Sequence, residues 1–75
     1  MTKQDVHKIA KLASFSHVRY VGKWNNYSVW YVYDDEEEED YAGYPQYVLT
    51  KDGSWRWVKD YRESIKIMRE INKGG

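Results

Sequence analysis

No cysteine occurs in this 75-residue chain, so neither a disulfide framework nor a thiolate metal site can supplement its core, and the composition fits a reducing compartment. There is a single proline, and no stretch approaches the roughly 18 consecutive apolar residues that cross a bilayer. The first residues also lack an apolar core of the signal-peptide kind, and the chain reads as cytoplasmic, with no membrane partner. Aliphatic side chains are comparatively few. At this length one domain over residues 1–75 is expected, near the size at which a single core stabilises a fold by only roughly 3–5 kcal/mol.

Rings are abundant instead. Phe15, four tryptophans and eight tyrosines can each bury about 150–250 Å². A core built from rings laid on a sheet follows, with tyrosine hydroxyls and indole N–H groups left near the surface.

The second abundance is local. Asp34, Asp35, Glu36, Glu37, Glu38, Glu39 and Asp40 are consecutive carboxylates, and they turn the zero net charge into a cancellation. Outside them stand twelve Lys and Arg against five acids, leaving +7. Adjacent like charges repel and carboxylates are depleted from strands, so residues 34–43 are expected to form an acidic loop.

Periodicity places the elements around that loop. Thr2-Lys3-Gln4-Asp5 approximates a capping box, and Val6, Ile9, Ala10 and Ala13, with Leu12 at the margin, form one apolar stripe. A first helix ending near Ser14 is expected. From Val18 the period becomes two, and Asn25-Asn26 between aromatic, β-branched runs signals a two-residue hairpin turn. Continued without interruption, this register pairs Trp24 with Tyr27, Tyr20 with Tyr31 and Val18 with Tyr33 on one surface, and Val21 with Trp30 and Arg19 with Val32 on the other. Asp52-Gly53 signals a second hairpin, from Gln46–Lys51 to 54–59, pairing Thr50 with Trp55, Val48 with Trp57, Leu49 with Arg56 and Tyr47 with Val58. Asp60-Tyr61-Arg62-Glu63 opens a second helix with a stripe of Tyr61, Ile65, Met68 and Ile71, widened by Ser64 and Ile67. The expected fold is α+β, order α-β-β-β-β-α, a four-stranded antiparallel sheet with both helices on one surface in two layers.

Three functional classes fit this pattern. In the leading one, the chain is a non-enzymatic interaction module. It presents Asp34, Asp35, Glu36, Glu37, Glu38, Glu39 and Asp40 to a basic protein surface, such as a nucleic-acid-binding protein whose site the carboxylates would occupy as a backbone mimic. Tyr33, Tyr41 and Tyr44 flank the charges and supply anchors that exposed ion pairs, worth about 0–1 kcal/mol each, do not. Small accessory proteins of phages and mobile elements are an analogy for such a role.

The blander reading is that the acidic run only keeps a ring-rich domain soluble. It could also tether to the chain's own cations or mediate self-association. Calcium is disfavoured, because the run lacks the spacing that folds a loop round the ion. No cofactor or metal is expected.

The second class binds single-stranded nucleic acid through a sheet face, with Arg19, Lys23, Arg56 and Lys59 following phosphates and Trp24, Trp30, Trp55 and Trp57 stacking on bases. Core packing is the competing use of those rings, and no RNP-like consensus appears. The third class is a structural or assembly subunit that uses an open aromatic surface.

Catalysis is not expected. His7 and His17 have no neighbouring nucleophile or metal-ligand spacing, and Ser14, Ser16, Ser28, Ser54 and Ser64 fall in no nucleophile elbow. Gly22, Gly43 and Gly53 form no phosphate-cradling loop.

Overall fold

A computed structural model describes residues 2–34 and 45–74, with side chains as far as residue 71. Their order is α1 (Lys3–Leu12), β1 (His17–Trp24), β2 (Tyr27–Tyr33), β3 (Gln46–Lys51), β4 (Ser54–Trp57) and α2 (Tyr61–Gly74). The four strands form one antiparallel sheet in sequential order, β1-β2-β3-β4, so the α+β class and the element order are those read from the sequence.

Local chemistry sets the boundaries. At the start of α1 the Thr2 N–H donates to the Asp5 carboxylate (3.0 Å) while the Asp5 N–H donates to Thr2 Oγ1 (3.3 Å), which completes the expected capping box. The helix stops at Leu12, two residues before the expected end, because Ser14 takes a left-handed φ of 71° and the Phe15 N–H bonds back to the Ala10 carbonyl. Leu12 is 87% exposed and contributes nothing to the apolar stripe.

Both two-residue turns form as expected. Asn25 and Asn26 have φ of 53° and 71°, and Asp52 and Gly53 have 48° and 85°, the pair of positive values that matches strand twist. The second hairpin keeps its expected pairs throughout, Val48 with Trp57, Leu49 with Arg56 and Thr50 with Trp55. The Val58 N–H also donates to the Tyr47 carbonyl.

The first hairpin departs from the expected register after one turn of pairing. Trp24 faces Tyr27 and Gly22 faces Val29, but a bulge at Val21 then moves Tyr20 opposite Trp30, Arg19 opposite Tyr31, Val18 opposite Val32 and His17 opposite Tyr33. Gly22 permits this because its φ of 142° is one that side chains rarely adopt. The expected pairs Tyr20–Tyr31, Val18–Tyr33, Val21–Trp30 and Arg19–Val32 are each wrong by that single inserted residue.

The helices also differ from the expectation of one shared surface: they take opposite faces of the sheet. Val6, Ile9 and Ala10 of α1 pack on Val18, Trp30, Val32 and Val48, with Phe15 and Trp57 alongside. On the other side, Ile67 packs with Val29, Tyr47, Leu49 and Val58, and Met68, Ile71, Val21 and Trp24 extend that cluster. The strands therefore need apolar residues on both faces, as a doubly covered sheet does. The buried face of α2 centres on Ser64 and Ile67, both 0% exposed, whereas Tyr61 is 59% exposed and outside the stripe in which it was placed.

Two polar contacts complete the packing. The Trp30 indole N–H donates to Thr50 Oγ1 across the sheet (3.1 Å), so both buried polar groups on the α1 side are satisfied. At the start of α2 the Glu63 N–H donates to Asp60 Oδ1. The Glu63 side chain accepts from the Lys59 N–H and from both terminal nitrogens of Arg56 (2.8 and 3.1 Å). Arg56 and Lys59 hold the Glu63 carboxylate below its ordinary pKa, against a smaller upward push from burial.

Candidate functional site

The acidic run joins β2 to β3, the two central strands, which pair as far as Val32 opposite Gln46. Val32 and Gln46, the last pair before the connection, therefore sit on strands about 5 Å apart. At the first end, Ser16 donates to Asp34 Oδ1 through both its N–H (3.0 Å) and its hydroxyl (2.9 Å). Five residues past the last acid, the hydroxyl of Ser64, buried on α2, donates to the Pro45 carbonyl. One serine immediately precedes β1 and the other lies in α2. Asp35, Glu36, Glu37, Glu38, Glu39, Asp40, Tyr41 and Tyr44 lie outside the described residues.

Tyr33 is described, and it belongs to a row of rings on the α2 side. It stacks on His17 (5.1 Å between centroids, 24°) and on Tyr31 (5.2 Å, 17°), and Tyr31 in turn tilts against Tyr47 (5.8 Å, 52°). The Arg19 guanidinium lies 6.0 Å from the Tyr31 centroid. Offset stacking of this kind adds about 0.5–1.5 kcal/mol per pair beyond area burial.

An open cleft of about 520 Å³ lies beside this row, between α2 and the sheet. Arg19, Val21, Tyr31, Tyr47, Met68 and Ile71 line it, together with Tyr20 and Pro45. Burial pushes the Tyr47 hydroxyl pKa above its ordinary value, the neighbouring Tyr31 adds to this, and Arg19 opposes it. The uninterrupted register conceals this site, because without the bulge Arg19 falls opposite Val32 and away from Tyr31. Gly22, an isolated glycine in a strand pattern, was the one signal of it.

The eight residues of the nucleic-acid alternative are not brought to one face. Lys23, Trp30, Trp55 and Trp57 share the α1 side, where Tyr20 and Trp55 remain 48% and 43% exposed. Arg19, Trp24 and Arg56 lie on the α2 side. There Arg56 is engaged by Glu63 and stands 5.1 Å from the Tyr27 centroid. Lys59 follows β4 and donates its N–H to Glu63.

The histidines are tied to local structure. His7 Nε2 lies 3.1 Å from the Ser16 carbonyl oxygen, a contact that places the ring proton on that nitrogen. His17 stacks on Tyr33. Among the described residues there is no group of three or more His, Cys, Asp or Glu arranged to hold a metal ion, and no helix long and apolar enough to cross a membrane. Compared with protein-family models, with curated proteins and with solved structures, the chain matches none.

Proposed function

We propose that the chain is a non-enzymatic interaction module whose acidic tract engages a basic protein surface, such as the nucleic-acid site of a binding protein. The observation that supports this is a pair of serine contacts, one on the first carboxylate of the tract and one on Pro45, five residues past the last. Ser16, just before β1, fastens Asp34, and Ser64, on α2, fastens the Pro45 carbonyl. Holding the chain on both sides of a charged segment lowers the ordering cost of association. Concentrated charge of one sign steers a basic partner during encounter. Asp34 serves as the anchor in this reading, and the six carboxylates from Asp35 to Asp40 carry the recognition.

The test uses the full chain, a variant with Asp35 to Asp40 replaced by Ser and Asn, and a Ser16→Ala/Ser64→Ala double variant whose charge is unchanged. The probe is a lysine- and arginine-rich peptide, titrated calorimetrically at several salt concentrations. The intact chain is expected to bind with an affinity that falls as salt rises, and the neutralised variant to lose about tenfold or more. The double variant is expected to bind more weakly at equal charge. Equal affinity of the intact and neutralised chains removes the proposal.

A further inference from the structure

The cleft between α2 and the sheet has two properties that core packing does not explain. Tyr47 is buried as a residue but lines the open cleft, and among the described residues no protein group bonds its hydroxyl. Its hydroxyl is thus free to bond a group that enters the cleft. Arg19 is exposed, and among the described residues no carboxylate pairs with it; its guanidinium lies 6.0 Å from the Tyr31 centroid and acts on the Tyr47 hydroxyl. By contrast, Arg56 on the same side of the sheet is gripped by both oxygens of Glu63. A polar group that lacks a partner and a cation that lacks an anion thus line one cavity, with Val21, Met68 and Ile71 as its apolar wall.

We infer that this cleft binds an apolar monocarboxylate, with the carboxylate on Arg19 and the Tyr47 hydroxyl and the apolar body against Val21, Met68 and Ile71. A single guanidinium matches one carboxylate in charge and in fork geometry, whereas a phosphate dianion would be left half-neutralised. The volume of about 520 Å³ lies in the range of small-molecule sites and accommodates a side chain with one or two peptide units. The ligand can be a free acid or the carboxyl terminus of a protein, since both present the same group. The inference does not depend on the role proposed for the acidic tract.

The experiment follows backbone amide shifts of the full chain by NMR. The ligands are N-acetyl-phenylalanine and an acetylated tetrapeptide ending in phenylalanine, each as free acid and as amide. Expected are saturable shifts at Val21, Tyr47, Met68 and Ile71 with the acids and at least about tenfold weaker binding of the amides. Arg19→Gln is expected to abolish the preference for acid, and Arg19→Lys, which keeps the charge and loses the fork, to retain part of it.

Tyr47→Phe separates binding from packing. It is expected to weaken acid binding several-fold while leaving the unfolding midpoint unchanged or higher, because the hydroxyl it removes is unpaired. Tighter binding of the peptide acid than of the free acid assigns the site to a protein terminus, and equal binding assigns it to a small acid. Equal shifts from acid and amide, or acid binding indifferent to Arg19→Gln, overturn the inference. So does a Tyr47→Phe chain that is destabilised but binds normally.

Discussion

At the scale of single residues, two backbone positions hold conformations that their side chains decide. Gly22 has φ of 142° at the bulge, and a Cβ there would meet only Ile71, at an ordinary 3.8 Å, so backbone strain and not space forbids substitution. Ser14 has φ of 71° just past α1, where glycine is the favoured residue. Opposite outcomes are expected: Gly22→Ala lowers stability by about 1–2 kcal/mol and Ser14→Gly raises it by about 0.5–1 kcal/mol, both read from urea unfolding midpoints. The bulge was illegible for a related reason. One inserted residue leaves composition and period almost untouched while turning every later side chain to the other face, and only Gly22 marks where it happens.

Glu63 gives a residue-scale dependence on pH. Its folded pKa lies below the ordinary value of 4.5, mainly through the Arg56 guanidinium. The stabilisation is therefore complete above that value and is lost as pH falls through it towards the folded pKa. Glu63→Gln is expected to cost about 1 kcal/mol at pH 7, reduced from a fully buried pair because the Arg56 side chain is 34% exposed. The gap between variant and parent narrows below pH 4.5, which denaturant unfolding at pH 7 and pH 3 measures.

At the scale of elements, the turns and helix starts were readable because each depends on a few adjacent residues. Asn25-Asn26 and Asp52-Gly53 tolerate positive φ, and Thr2 with Asp5 closes a cap within four residues. Which face each helix takes is not a local property. The clue was present in the strands, whose apolar residues fall on both surfaces, and a sheet exposed on one side would have alternated more cleanly. The carboxylate run was legible as a tract, whereas the contacts of Ser16 with Asp34 and of Ser64 with Pro45 link residues 18 and 19 apart in sequence. The cleft was hidden for both reasons at once, since it needs the bulge to place Arg19 and α2 to supply Met68 and Ile71.

At the scale of the molecule, two small cores share one sheet. Leu49 is fully buried on the α2 side and Val48 on the α1 side, adjacent residues of the same strand. Neither core can melt without disturbing the strands that form the other, so a single transition is expected. Ile9→Val and Ile67→Val, one on each side, should each cost about 0.5–1.5 kcal/mol. In both variants the native NMR signals of residues 9 and 67 should vanish at the same urea concentration. Separate midpoints would show two independently melting units. Leu49→Ala, at about 2–5 kcal/mol, removes most of the roughly 3–5 kcal/mol available to a domain of this size and is expected to leave the chain largely unfolded.

The acidic tract divides the molecule into a helix followed by a hairpin and a hairpin followed by a helix. Each helix reaches across that division. α1 packs against Val48 and Trp57 of the later hairpin, and α2 packs against Val21 and Trp24 of the earlier one. The two portions are thus interlocked like clasped hands. Were the chain severed within the tract, each fragment would lack strands that its own helix must cover, and native structure would return only on mixing the two.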